Sequence, residues 1–250
     1  MIPRFTYSEY ACVSDCKFIG GDFDWTVTCG PQNAQVDERS QHLIFERNWF
    51  TSWSVDKNPG HGTQLALRIA ATRYITVRNN LFDLSNAFAQ QAIDIPDPGV
   101  APTPQGVFIY NNTVYSSTTP HPTNATTLFL YIDGFASPAP SGVIVKNKLG
   151  YAPSSGNNGF MVVWNGPSGT PTPAQLVQSN NSYNNQLRGT NPNFVVSTPT
   201  APADFKLAGT GYAIAGGIIV PVLNDFFIVS RLNVANPDMG FSQFTAGTPW

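Results

Sequence analysis

A recurring eight-residue pattern constrains this chain more than any other feature. Six segments fit the template apolar-x-apolar-x-x-Asn-x-apolar: 11–18 (ACVSDCKF), 43–50 (LIFERNWF), 75–82 (ITVRNNLF), 107–114 (VFIYNNTV), 143–150 (VIVKNKLG) and 176–183 (LVQSNNSY). Its sixth position holds Cys16, Asn48, Asn80, Asn112, Lys148 and Asn181, at successive spacings of 32, 32, 32, 36 and 33 residues. A fixed period of this length is the signature of a repeat architecture, in which one unit cannot bury its apolar face alone and stacking buries it. Within each unit the first and third residues, such as Ile75 and Val77, alternate with outward ones, which is the two-residue period of a strand. The asparagine suits a tight corner, because it tolerates left-handed backbone and bonds neighbouring main chain. The apolar residue two places later (Phe18, Phe50, Phe82, Val114, Tyr183) returns to the interior.

A second strand is predicted in the other half of most repeats, at 63–69, 91–95, 127–132 and 160–164, joined by polar, proline-rich connectors. Leucine-rich repeats need a tighter period, propeller blades need four antiparallel strands, and immunoglobulin sandwiches have no regular asparagine corner. What remains is an all-β fold, a right-handed parallel β-helix of about six to seven enlarged coils. The predicted division is a lead-in over 1–10, one β-helix domain over 11–217, and a tail over 218–250 that caps the last coil. With no helical cap ahead of residue 11, the N-terminal face is expected to dock to upstream coils or to another subunit of a homo-oligomer.

Composition narrows the partners. The 250 residues carry 13 basic and 15 acidic side chains, a net charge of -2, and only 11% charged residues, which argues against nucleic acid as partner. The 21 Gly and 21 Pro are too many for a helical bundle, and no apolar run reaches the ~18 residues of a membrane helix. Residues 1–10 lack the apolar stretch of a signal peptide. Cys12, Cys16 and Cys29 form no zinc spacing, and three cysteines decide neither pairing nor compartment.

The rungs resemble those of pectate-lyase-like right-handed parallel β-helix proteins over roughly 11–217. The segment 191–194 (NPNF) followed by 204–217 (DFKLAGTGYAIAGG) is similar to the stretch that commonly closes such proteins, with Thr210 to Tyr212 standing where that ending usually has Ser-Pro. The resemblance implies the fold and an extracellular or cell-surface carbohydrate-active protein. It leaves lyases, hydrolases, epimerases, tailspikes and adhesins open.

Stacking makes neighbours of residues at equal template positions. Glu46 and Arg78 fall within ion-pair reach, a surface pair in its plain reading. The asparagines form a ladder that Lys148 is expected to end, because an unpaired buried ammonium is costly. In the second strand, Arg68, Asp94 and Tyr131 align as one outward column: a guanidinium, a carboxylate and a phenol. β-Elimination of a uronate needs a base at C5 and positive charge near its carboxylate, so Arg68 would supply charge or, desolvated, the base, and Tyr131 the acid. The plain alternative is a surface Arg–Asp pair beside an aromatic.

The loop 56–62 (DKNPGHG) brings Lys57 and His61 to the same strand, and Gly60-His61-Gly62 resembles the Gly-His-Gly of polygalacturonase-type hydrolases. The Asn-Thr-Asp, Asp-Asp and correctly spaced Arg-Ile-Lys of those enzymes are missing. Asp22 and Asp24 lie two apart on one strand face, and Asp94 and Asp97 form a second acidic pair. Either could hold Ca²⁺, although neither has the ligand count of a recognised calcium loop. Trp49, Trp53, Tyr110, Tyr131 and Trp164 fall at outward or loop positions where sugar rings stack; with Arg78, these are the candidate glycan contacts. Against the catalytic reading stands a non-catalytic glycan-binding, adhesive or structural module. No phosphate loop, nucleophile elbow or His-Glu-x-x-His is present, and the sequons at Asn111, Asn124 and Asn180 read as products of the template or of loops.

Overall fold

A computed structural model of the chain describes residues 4–5, 7–20, 25–29, 40–51, 64–85, 90–96, 103–117, 128–135, 138–152, 161–167, 169–182, 191–232 and 235–244. Strand β1 (Arg4–Phe5) precedes a winding made of β2 (Cys12–Ser14), β3 (Lys17–Ile19) and β4 (Trp25–Cys29). The short β5 (Ser40–Gln41) leads into β6 (Ile44–Glu46), β7 (Trp49–Thr51) and β8 (Gln64–Ile69). Three further windings follow: β9 (Thr72–Arg78), β10 (Leu81–Asp83) and β11 (Gln90–Ile95); β12 (Gln105–Tyr110), β13 (Thr113–Tyr115) and β14 (Leu128–Asp133); β15 (Ser141–Lys146), β16 (Leu149–Tyr151) and β17 (Met161–Asn165). Strand β18 (Leu176–Ser179) and a 3₁₀ turn at Pro202–Phe205 complete the described elements.

Every winding lays one strand on each of three parallel sheets. Sheet A runs β1-β4-β8-β11-β14-β17, sheet B β18-β15-β12-β9-β6-β2 with β5 beside β9, and sheet C β16-β13-β10-β7-β3. The fold is therefore an all-β parallel solenoid, as the repeat predicts. Among the described residues the complete windings are fewer than the six to seven expected, because β1 and β18 add single strands at the two ends rather than full coils.

The register shows why the period holds. Val107 pairs with Ile75 and Val143, and Ile109 with Val77 and Val145; all six side chains are buried in one interior cluster. Phe18, Phe50 and Phe82 stack at centroid separations of 4.8 Å and 4.8 Å. Each Asn side chain serves two windings. Asn80 Oδ1 accepts the Asn48 backbone N–H at 2.9 Å and its Nδ2 at 3.0 Å, while Asn80 Nδ2 donates to Phe45 O at 2.9 Å. Asn112 repeats the arrangement beneath Asn80.

Two corner expectations need correction. The left-handed residue is the one before the ladder position: Asp15, Arg47, Asn79, Asn111, Asn147 and Asn180 have φ of 58°, 53°, 52°, 51°, 57° and 49°. The ladder residue is kept for hydrogen bonding instead. Lys148 does not end the ladder either. It is buried with its Nζ 5.3 Å from the centre of the Phe129 ring, and its backbone N–H donates to Asn181 Oδ1 at 2.9 Å, so the ladder resumes one winding later.

The described part of the segment expected to cap the last coil runs along the flank instead. Asn147 Nδ2 donates to Ile218 O at 2.7 Å, Arg78 Nη1 to Pro221 O at 3.3 Å, and Asn79 Nδ2 to Asn224 O at 2.6 Å; the Phe241 N–H donates to Thr113 Oγ1 at 3.0 Å. A second core forms there, where Leu81, Tyr115 and Leu149 of sheet C meet Phe194, Phe205, Leu207, Met239 and Phe241. The residues after the last rung thus cover sheet C. Sheets A and B are the faces that present the outward columns considered below.

Candidate functional site

The outward column of sheet A follows from strand register. Asp94 pairs with Arg68 on one side and Tyr131 on the other, and the column continues to Val163. The flanking Leu67, Ile69, Ile93, Ile95, Leu130 and Ile132 are all buried, and their alternation turns the three polar residues outward. Sequence and structure agree on this juxtaposition.

Outward does not mean solvated here. Asp94 is only 7% exposed, and its carboxylate lies 3.6 Å from Arg68 Nε. Burial pushes its pKa up to about 6; the Arg68 guanidinium pulls it down and the nearby Asp133 carboxylate adds to the rise. Desolvation outweighs the ion pair, so the carboxyl changes charge near 6 instead of near 4. Tyr131 accepts a hydrogen bond from Asn165 Nδ2 at 2.7 Å. Its pKa is raised by burial first, against the lowering effect of that bond, with Asp133 and Asp94 raising it further. The phenol therefore keeps its proton at neutral pH, beside a carboxyl whose pKa burial has raised.

Asp133 and Asn165 belong to this site and escaped the sequence reading. They pair in register two residues beyond Tyr131 and Val163 on the same face. Extending the column by one strand period would have found them.

Several expected contacts lie elsewhere. Trp164 pairs with Ile132, not Tyr131, and packs against the interior cluster, so it is no outward stacking platform. Tyr110 is 7% exposed and so offers no open stacking face; the tail crosses at its neighbours Arg78 and Asn79. Arg78 is taken up by Glu46, 2.6 Å away, and by Pro221 O, so it ties the tail to sheet B. That pair extends through Arg47, which bridges Glu46 and Asp15 at 2.7 Å and 2.8 Å. Trp49 packs against the second core under the Lys17 ammonium, 4.2 Å from its ring. Trp53, Lys57, His61, Asp22, Asp24 and Asp97 lie outside the described residues. Among the described residues no group of three or more His, Cys, Asp or Glu side chains converges as metal ligands would. Cys12 and Cys16 are free thiols.

Comparison with known proteins found no matching family model, no matching curated protein and no matching solved structure. The chemistry of the site therefore rests on its own geometry.

Proposed function

We propose that this chain is a carbohydrate-active parallel β-helix protein of the pectate-lyase-like kind, acting outside the cell or at its surface on an acidic glycan laid across sheet A. The observation that carries the reading is the buried carboxyl of Asp94, with a pKa near 6, held between a guanidinium and a protonated phenol on consecutive rungs. In β-elimination the Asp94 carboxylate takes the C5 proton of a uronate. The electron pair forms the C4–C5 double bond, the C4–O4 bond breaks, and the departing O4 takes a proton from Tyr131. Arg68 pairs with the uronate carboxylate and stabilises the charge that develops there.

The 3.6 Å Arg68–Asp94 contact also favours a second reading, in which the pair is structural and the protein grips glycan without cutting it. Incubation with polygalacturonate, alginate and hyaluronan, followed by the ultraviolet absorbance of unsaturated ends, separates the two. The lyase reading expects turnover that rises as pH passes through about 6 and disappears in Arg68→Ala and Asp94→Asn. If none of these substrates yields unsaturated ends while glycan binding persists, the non-catalytic reading replaces it.

A further inference from the structure

Sheet B carries a second outward surface, unlike the first in charge. One residue ahead of each of the first five repeat templates stand Tyr10, His42, Tyr74, Gly106 and Gly142, all with left-handed backbone, at φ of 53°, 54°, 55°, 66° and 65°. Glycine adopts this conformation freely, whereas an L side chain there costs about 1–2 kcal/mol. The fold thus has an unstrained solution for the position and uses it in two windings. Three consecutive windings give it up for rings.

Those rings are not there to fill the core. Tyr10 is 76% and Tyr74 50% exposed. They stack with His42 between them, at centroid distances of 4.8 Å and 5.0 Å and interplanar angles of 0° and 20°. Each such contact returns about 0.5–1.5 kcal/mol, which offsets the backbone strain without exceeding it. Stability alone gives no reason for the rings, and bulky residues held at positive φ tend to mark functional positions.

Beside the ring wall runs the outward column Cys12, Ile44, Thr76 and Phe108, aligned by register on four adjacent strands. At ~4.8 Å per strand the column is about 14 Å long. Wall, column and Ala11 line an open cavity of about 510 Å³. Among the described residues its lining contains no Lys, Arg, Asp or Glu. Past Tyr74 the wall stops at Gly106, where a Cβ would stand 2.9 Å from the Tyr74 ring, so this glycine makes the room the ring occupies.

We propose that this groove binds a neutral saccharide chain lying along the solenoid axis. A ligand for this surface must match an apolar floor and a rim of two phenols, an imidazole and the Thr76 hydroxyl. A purely hydrocarbon chain would desolvate that rim without replacing its hydrogen bonds. A uronate would find no Lys or Arg among the described lining residues. A neutral sugar chain offers apolar C–H faces to Ile44 and Phe108 and hydroxyls to the rim, and its repeating units suit a groove built by repetition. The site is independent of the sheet A column and of whether that column catalyses.

The test uses the full chain with cellohexaose, maltohexaose and xylohexaose as neutral probes and hexagalacturonate as the charged comparison. Binding is read by calorimetry, and occupancy by the rate at which iodoacetamide alkylates Cys12, located by peptide mass spectrometry. At least one neutral hexasaccharide is expected to bind and to slow alkylation of Cys12. Tyr74→Gly and His42→Gly place at these positions the residue already found at 106 and 142, so both variants should fold. Each should weaken binding roughly tenfold, as loss of about 1.4 kcal/mol of contact implies. Arg68→Ala should leave this binding unchanged while abolishing any uronate cleavage. The proposal is overturned if none of the three neutral probes protects Cys12, if hexagalacturonate protects it equally well, or if the glycine variants retain full affinity.

Discussion

Replacing Asn80 by Ala should be among the most damaging single changes in the chain, and its cost can be worked from the contacts. The side chain is buried and makes four hydrogen bonds: two accepted from Asn48, one donated to Phe45 O and one to Asn112 Oδ1. Alanine leaves the Asn48 backbone N–H without its ladder acceptor, at about 1–3 kcal/mol for a buried orphan. Asn48 Nδ2 keeps Val13 O and Asn112 Oδ1 keeps the Asn80 backbone N–H, so these groups are weakened instead of orphaned. Adding three lost bonds at about 0.5–1.5 kcal/mol each gives roughly 2.5–7.5 kcal/mol, a large part of the 5–15 kcal/mol that holds a typical domain. Guanidinium unfolding followed by circular dichroism measures it. Asn112→Ala should be costly for the same reason, and the double variant should lose less than the sum, because both singles remove the shared bond to Asn112 Oδ1. A loss under about 0.5 kcal/mol for Asn80→Ala, or strict additivity with Asn112→Ala, would refute the ladder as the element that sets the repeat.

Two further substitutions probe the surfaces on either side of the ladder. Gly106→Ala should cost about 1–3 kcal/mol from its left-handed backbone and its contact with Tyr74, more than Gly169→Ala, where φ is 64° but nothing stands within 4 Å; equal losses would remove the Tyr74 contact from the explanation. Asn147→Gly keeps the left-handed corner but deletes both side-chain bonds to Ile218, so hydrogen exchange at the Ile218 amide should accelerate by about tenfold or more; unchanged protection would show that the tail is held without Asn147.

The period was legible because stacking forces one residue of each winding to meet its equivalent, so identity repeats wherever contact repeats. The Arg68–Asp94–Tyr131 column followed from that rule and from strand alternation alone. The rule gave less where windings end. Trp164 sits on the last strand of sheet A, where a one-residue error in alignment turns a side chain from solvent to core. Strand alternation places Tyr110 and Arg78 at outward positions, but the tail residue Pro221 that accepts from Arg78 lies more than a hundred residues away in sequence and carries no periodic signal. Tyr10, His42 and Tyr74 recur at the same 32-residue spacing as the asparagines. They went unnoticed because aromatic residues ahead of a strand look like ordinary β-formers until the sign of φ is known.

The functional reading depends most on whether adjacent rungs bring Arg68, Asp94 and Asp133 close enough to govern one another's charge. Titration of the Asp94 carboxyl carbon by NMR measures this directly. In the unaltered protein it should titrate near 6. Arg68→Ala removes the charge that favours the carboxylate and should raise the value further, while Asp133→Asn removes a repelling carboxylate and should lower it. An Asp94 that titrates near the ordinary 3.9, or that ignores both substitutions, would contradict the buried, coupled column and the chemistry built on it.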